Sequence, residues 1–99
     1  VSAYLEHQSK HRRLSILRSL YEAPEYRGND SLLAMIVNEF GIVSTRDQIR
    51  TDIVWLQGAG FVTVREASGV MVVTLTEAGS EVAAGRRSDP GVARPSPRG

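Results

Sequence analysis

Ninety-nine residues, 41% apolar and 23% charged, make one soluble globular domain's worth of chain, and no apolar run approaches the roughly 20 residues of a membrane span. The absence of cysteine excludes disulfides, thiolate nucleophiles and cysteine-held metals, and is compatible with a reducing cytoplasm. The net charge of +1 conceals a basic end: from residue 86 onward four arginines face one aspartate, a balance of +3, leaving residues 1–85 at −2 and weighing against tight nonspecific binding of nucleic acid.

In chain order, a long first helix is expected from Ala3 to Ala23. Leu14, Leu17 and Tyr21 recur there at helical spacing beside Ile16 and Leu20, with Glu6, Lys10, Arg12, Arg13 and Arg18 left for the outside. No signal peptide is expected, because Tyr4 and Leu5 give way at once to polar residues. Pro24 ends the helix, since a proline ring disfavours the helical conformation of the residue before it. Residues 25–29 read as a loop. Asn29 or Asp30 suits the cap of a second helix whose buried face would hold Leu32, Leu33, Ile36, Val37 and Phe40, with Gly41 ending it. Ile42 and Val43 alone then separate that glycine from Ser44, and Ile42 is expected to pack into the corner between two helices.

Ser44 followed by Asp47 predicts the start of a third helix, the hydroxyl capping and the carboxylate answering from the first turn. Ile49, Ile53 and Leu56 form its buried stripe, while Asp47, Arg50, Thr51 and Val54 project from the other side. Gly58 and Gly60 let the helix stop at a left-handed glycine. Residues 61–67 and 70–75, rich in Val and Thr and separated by Ser68-Gly69, predict an antiparallel hairpin. Thr76 caps a short fourth helix that turns Ala78, Val82 and Ala83 to the core, and Gly85 ends it. The expected organisation is one α+β domain over residues 1–86 and a disordered tail over residues 87–99, where Pro, Ser, Gly and Arg dominate.

The run from Ile49 through Ile53 and Leu56 to Gly60-Phe61-Val62 resembles a recognition helix entering the first wing strand of winged helix-turn-helix regulators. Val73-Thr74-Leu75-Thr76-Glu77-Ala78-Gly79 is similar to the junction after the wing in MarR, PadR and related groups, ArsR among them. The resemblance covers Leu14 to about Arg86 and extends to small winged-helix proteins of Mu-like bacteriophages. It implies DNA binding with the third helix in the major groove, the wing beside it, and commonly a dimer.

If the third helix meets DNA, Arg50 suits guanine, because a guanidinium makes two parallel bonds to that base, and Gln48 suits adenine. Thr51 and Val54 offer methyls to thymine, and Ser44, Thr45 and Arg46 suit a phosphate at the helix N-terminus. Arg65 and Ser68 belong to the wing of residues 65–69. The bland alternative makes Arg46 and Arg50 solvated charges, Arg50 pairing with Asp47 three residues away. Two features count against DNA: carboxylates at Asp47 and Asp52, and a wing whose one cation, Arg65, adjoins Glu66. Lys10, Arg12, Arg13 and Arg18 form either a backbone-binding group or a solvated face. Trp55 completes the core or marks a protein interface. His7 and His11, four apart, have no third ligand and read as solvent-facing. No nucleophile elbow or phosphate loop is present, so the chain reads as a non-enzyme without cofactor. The expected function is a sequence-specific bacterial or phage transcriptional regulator binding double-stranded DNA, a homodimer through the first helix being compatible. The alternative is a winged-helix assembly module that binds a protein partner.

Overall fold

A computed structural model describes residues 2–96. Its elements are α1 (Ser2–Glu22), a 3-10 turn (Pro24–Tyr26), β1 (Arg27–Asn29), α2 (Asp30–Glu39), α3 (Arg46–Gly58), β2 (Val62–Ala67), β3 (Val70–Leu75) and α4 (Glu77–Ala83). The three strands form one antiparallel sheet in the order β1-β3-β2. Among the described residues no helix is long and apolar enough to cross a membrane.

Ile49, Ile53 and Leu56 of α3 are fully buried, as their spacing requires, against Leu17 and Leu20 of α1, Leu33 and Val37 of α2, and Val73 of β3 within one core cluster. Each such side chain contributes about 1.5–3 kcal/mol by leaving water. The stripe expected on α1 is rotated: Ile16, Leu17 and Leu20 are fully buried, whereas Tyr21 is exposed and meets the ring of Tyr26 at 6.5 Å. On α2 only Leu33 and Val37 of the expected apolar face are buried; Leu32 is 46% and Phe40 71% exposed. The helix meets the core along a single narrow line, so the flanking apolar positions are left uncovered.

Residues 27–29, expected as loop, are the strand β1, with Arg27 opposite Thr74, Gly28 opposite Val73 and Asn29 opposite Val72. A segment of Arg, Gly and Asn has no strand signature of its own, and the free edge of β3 makes it one. Asn29 caps α2, its Oδ1 accepting from the Leu32 amide at 2.8 Å. Between α2 and α3, Gly41 takes φ +88° and Ile42 packs on the core, as its apolar side chain demands. Asn38 locks this corner: its Nδ2 donates to the carbonyls of Ala34 and Ser44, and its Oδ1 accepts from the Ser44 amide at 3.0 Å.

The cap of α3 is one residue later than expected. Thr45, not Ser44, accepts from the Gln48 amide at 3.1 Å, and Gln48 rather than Asp47 answers, its Oε1 accepting from the Thr45 amide at 2.9 Å. The hydroxyl of Ser44 is instead spent on the Ile42 carbonyl and on Arg12 Nε. Helix α3 then ends before Gly60 at φ +85°, and the hairpin follows in the register that places Ala67 opposite Val70. Its two-residue turn, Ser68 at φ 51° and Gly69 at φ 82°, has both positions left-handed, the hand that suits twisted antiparallel strands. Val62, Met71, Val73 and Leu75 face inward. Thr76 caps α4, accepting from the Gly79 amide at 3.0 Å, and α4 buries Val82 and Ala83.

The segment expected as a disordered tail packs back on the domain through Ser96; residues 97–99 lie outside the described residues. Val92 is buried, the Ala93 amide donates to the Lys10 carbonyl at 3.1 Å, and Arg13 Nη1 donates to the Gly91 carbonyl at 2.9 Å. Gly91 lies so close to the Trp55 ring that a Cβ would collide with it. Val92 and Ala93 on the core, the close fit of Gly91 on Trp55 and two hydrogen bonds to α1 hold this strap, features too sparse for composition to reveal.

Gly79 has no room for a side chain, because a Cβ would run into the Phe61 carbonyl. Gly79→Ala should therefore lower stability by about 1–3 kcal/mol, measured by urea denaturation, despite the better helix propensity of alanine.

Candidate nucleic-acid interface

The outer face of α3 carries Arg46, Asp47, Arg50, Thr51 and Val54, and the capping box leaves Thr45 and Gln48 exposed at its start. Thr51 and Val54 are exposed, Val54 by 54%. Gln48 has committed its side-chain oxygen to the Thr45 amide, which leaves its NH2 group to donate outward. Ser44 drops out of this face, being half-buried with its hydroxyl engaged. In the wing, Arg65 is exposed on β2 opposite Val72, and Ser68 is exposed at the turn.

Arg46 and Arg50 are neither free solvated charges nor partners of Asp47. Both approach Asp30, the first residue of α2, whose carboxylate is fully buried. Asp30 Oδ2 accepts from Arg46 Nε at 3.2 Å and forms an ion pair with Arg50 Nε at 3.1 Å. Its Oδ1 accepts from the amides of Ser31 at 3.1 Å and Met71 at 3.2 Å, the latter on β3. Arg46 Nη2 also reaches the Gly69 carbonyl at 3.4 Å, and Arg50 Nη2 lies 3.8 Å from Glu66 Oε2. The arginines keep 48% and 36% of their side-chain surface exposed.

A second buried carboxylate faces the opposite way. Asp52, 2% exposed, binds Arg12 Nη1 at 2.8 Å and Arg13 Nε at 2.9 Å. This removes Arg12 and Arg13 from the basic group considered on α1, and it removes Asp52 from the surface of α3. Arg13 also lies over the Trp55 ring at 4.1 Å, so Trp55 is half-buried between a cation and Gly91. Asp30, Asn38 and Glu66 were not singled out as site residues from the sequence. The usable signal for Asp30 is redundancy: with Asn29 already a cap, the adjacent carboxylate is spare.

The order of three helices, a two-stranded wing and a closing helix is that of a winged helix-turn-helix protein. The same fold occurs in two MarR family transcriptional regulators of Streptomyces coelicolor. One, solved in complex with DNA, superposes with a TM-score of 0.65 at 23% identity, over 91% of this chain and 60% of that one. The other, AbsC, gives 0.60 at 20% identity, over 84% and 61%. The chain thus spans about three fifths of the length of these regulators. No family model matches the sequence. It is 44% identical over 87 residues to the uncharacterised protein gp26 of Escherichia phage Mu, across 88% of this chain and 90% of that protein. The chain belongs to the family of that phage protein.

Burial works against ionisation of Asp30, but the Met71 amide, the Arg46 hydrogen bond and the charges of Arg46 and Arg50 outweigh it, so the carboxyl lies below its ordinary value of 3.8. A folded-state value below the unfolded one stabilises fully above pH 3.8, and this stabilisation is lost as the pH falls through the lower folded value. Urea midpoints compared near neutrality and at about pH 3 should therefore fall more for the wild-type chain than for Asp30→Asn, which has no proton to take up.

Proposed function

We propose that the chain is a sequence-specific DNA-binding protein, a transcriptional regulator of bacterial or phage origin, with α3 in the major groove and residues 65–69 of the wing alongside. The observation that carries this reading is that Thr45, Asp47, Gln48, Thr51 and Val54 on the outer face of α3 are exposed, while Arg46 and Arg50 on it remain partly exposed and are braced by Asp30. Arg50 reads guanine with two parallel bonds, Gln48 donates to a base edge, and Thr51 and Val54 meet thymine methyls. Thr45 and Arg46 hold a phosphate at the helix N-terminus, and Arg65 and Ser68 hold the backbone beside the wing. The carboxylate beneath this face, Asp30, is matched by both Arg46 and Arg50. No catalytic step is part of this reading, and the protein acts in the cytoplasm. The DNA complex of a MarR family regulator supports it at the level of fold.

A second reading, a module that binds protein, is favoured by the groove of about 600 Å³ between α1 and α2, where Leu32, Ile36, Phe40 and Ile42 are incompletely covered. Both readings accommodate a homodimer through α1, whose first turns expose Tyr4 and Leu5.

Titration with random duplexes at low salt should give a complex whose affinity falls steeply as salt is added. Arg50→Ala should relax base preference by about 1–3 kcal/mol at one position, whereas Arg46→Ala should weaken all duplexes alike. Absence of any complex at high protein concentration would overturn the DNA reading. In gel filtration at two concentrations a dimer should elute earlier at the higher one, and a constant monomer mass would exclude it.

A further inference from the structure

We propose that Asp30 is the positioning residue of the reading helix: one buried carboxylate, hydrogen-bonded to Arg46 Nε and ion-paired with Arg50, orders both guanidiniums for DNA before any DNA arrives. This rests on the DNA-binding reading above. Arginine has two edges that can make paired hydrogen bonds, the Nε side and the outer Nη end, and a partner at Nε leaves outer N–H groups to a base or phosphate, Nη2 of both residues facing the wing. Asp30 Oδ2 accepts a hydrogen bond from Arg46 Nε at 3.2 Å and lies 3.1 Å from Arg50 Nε in an ion pair, so residues of two successive turns are drawn to the same oxygen.

The carboxylate is itself immobilised. It is fully buried, and its Oδ1 accepts from Ser31 at the start of α2 and from Met71 on β3. Its position is therefore a property of the sheet and of the helix before the turn, and not of α3 itself. Arg46 further bonds the Gly69 carbonyl in the wing turn, and Arg50 faces Glu66 on β2, so wing and helix are set relative to each other through the same two side chains. Long flexible side chains that are ordered in the free protein lose little more freedom on binding, and that favours the correct duplex over others.

The test uses the full chain and a random duplex library. The wild-type protein should select a consensus. Asp30→Asn, isosteric but uncharged, should lower preference for that consensus over random duplex by roughly 5- to 150-fold while its binding to random duplex changes much less. In an Arg50→Ala background the same substitution should add little to the loss at the base pair Arg50 reads, an outcome a merely structural role would not give. Should Asp30→Asn not fold, the wild-type protein still decides the matter by NMR. A protected, rigid Nε–H signal for Arg46 and restricted guanidinium motion for Arg50 without DNA are expected, and an averaged, rapidly exchanging Arg46 Nε–H overturns the proposal. A consensus that folded Asp30→Asn retains with unchanged preference overturns this inference alone. Failure of the wild-type protein to select any consensus overturns the DNA reading and this inference with it.

Discussion

The fold turns on a carboxylate that has left water. Asp52 sits at 2% exposure in the middle of α3, where an ionised group costs several kcal/mol unless matched, and Arg12 and Arg13 match it at 2.8 and 2.9 Å. Because the match requires two guanidiniums from consecutive residues of α1, it fixes the rotation of α1 against α3 as well as their separation. It also decides what Trp55 does. The indole lies under Arg13 and against Gly91, so the tryptophan, its cation and the C-terminal strap form one packed unit behind the exposed face of α3.

Asp30 does the equivalent on the other flank, and the contrast between the two sites is instructive. Arg12 is 3% exposed and wholly committed to the interior, whereas Arg46 and Arg50 lean on their carboxylate and still present surface to solvent. The same chemical pair thus closes one side of α3 and dresses the other. Charge counted along the chain missed this, since acids and arginines that cancel inside the molecule do not contribute to the field outside it.

Much of the architecture was legible because its determinants are local. The spacing of Ile49, Ile53 and Leu56, the glycines at 41 and 60, the Ser68-Gly69 turn and the Thr76 cap each act over a few residues, and each appears where it was expected. The winged-helix resemblance rested on these features. The errors have a common form as well. Ser44 and Thr45 are both good caps, and Ser44 lost that role because Arg12, 32 residues away, takes its hydroxyl. Leu32 and Phe40 obey helical spacing, yet among the described residues no element covers them fully.

By itself, the sequence determined to within about a residue where helices start and stop, that a tight turn joins the second and third, and which side of the third faces the core, for these follow from backbone sterics and apolar periodicity. The tertiary structure alone decided that residues 27–29 form a strand, that the C-terminal segment packs to Ser96, and which arginines remain outside. The reason is distance along the chain: Arg12 and Asp52 lie 40 residues apart and Asp30 and Met71 41 apart, and such partners can be chosen only once the core has brought their elements together.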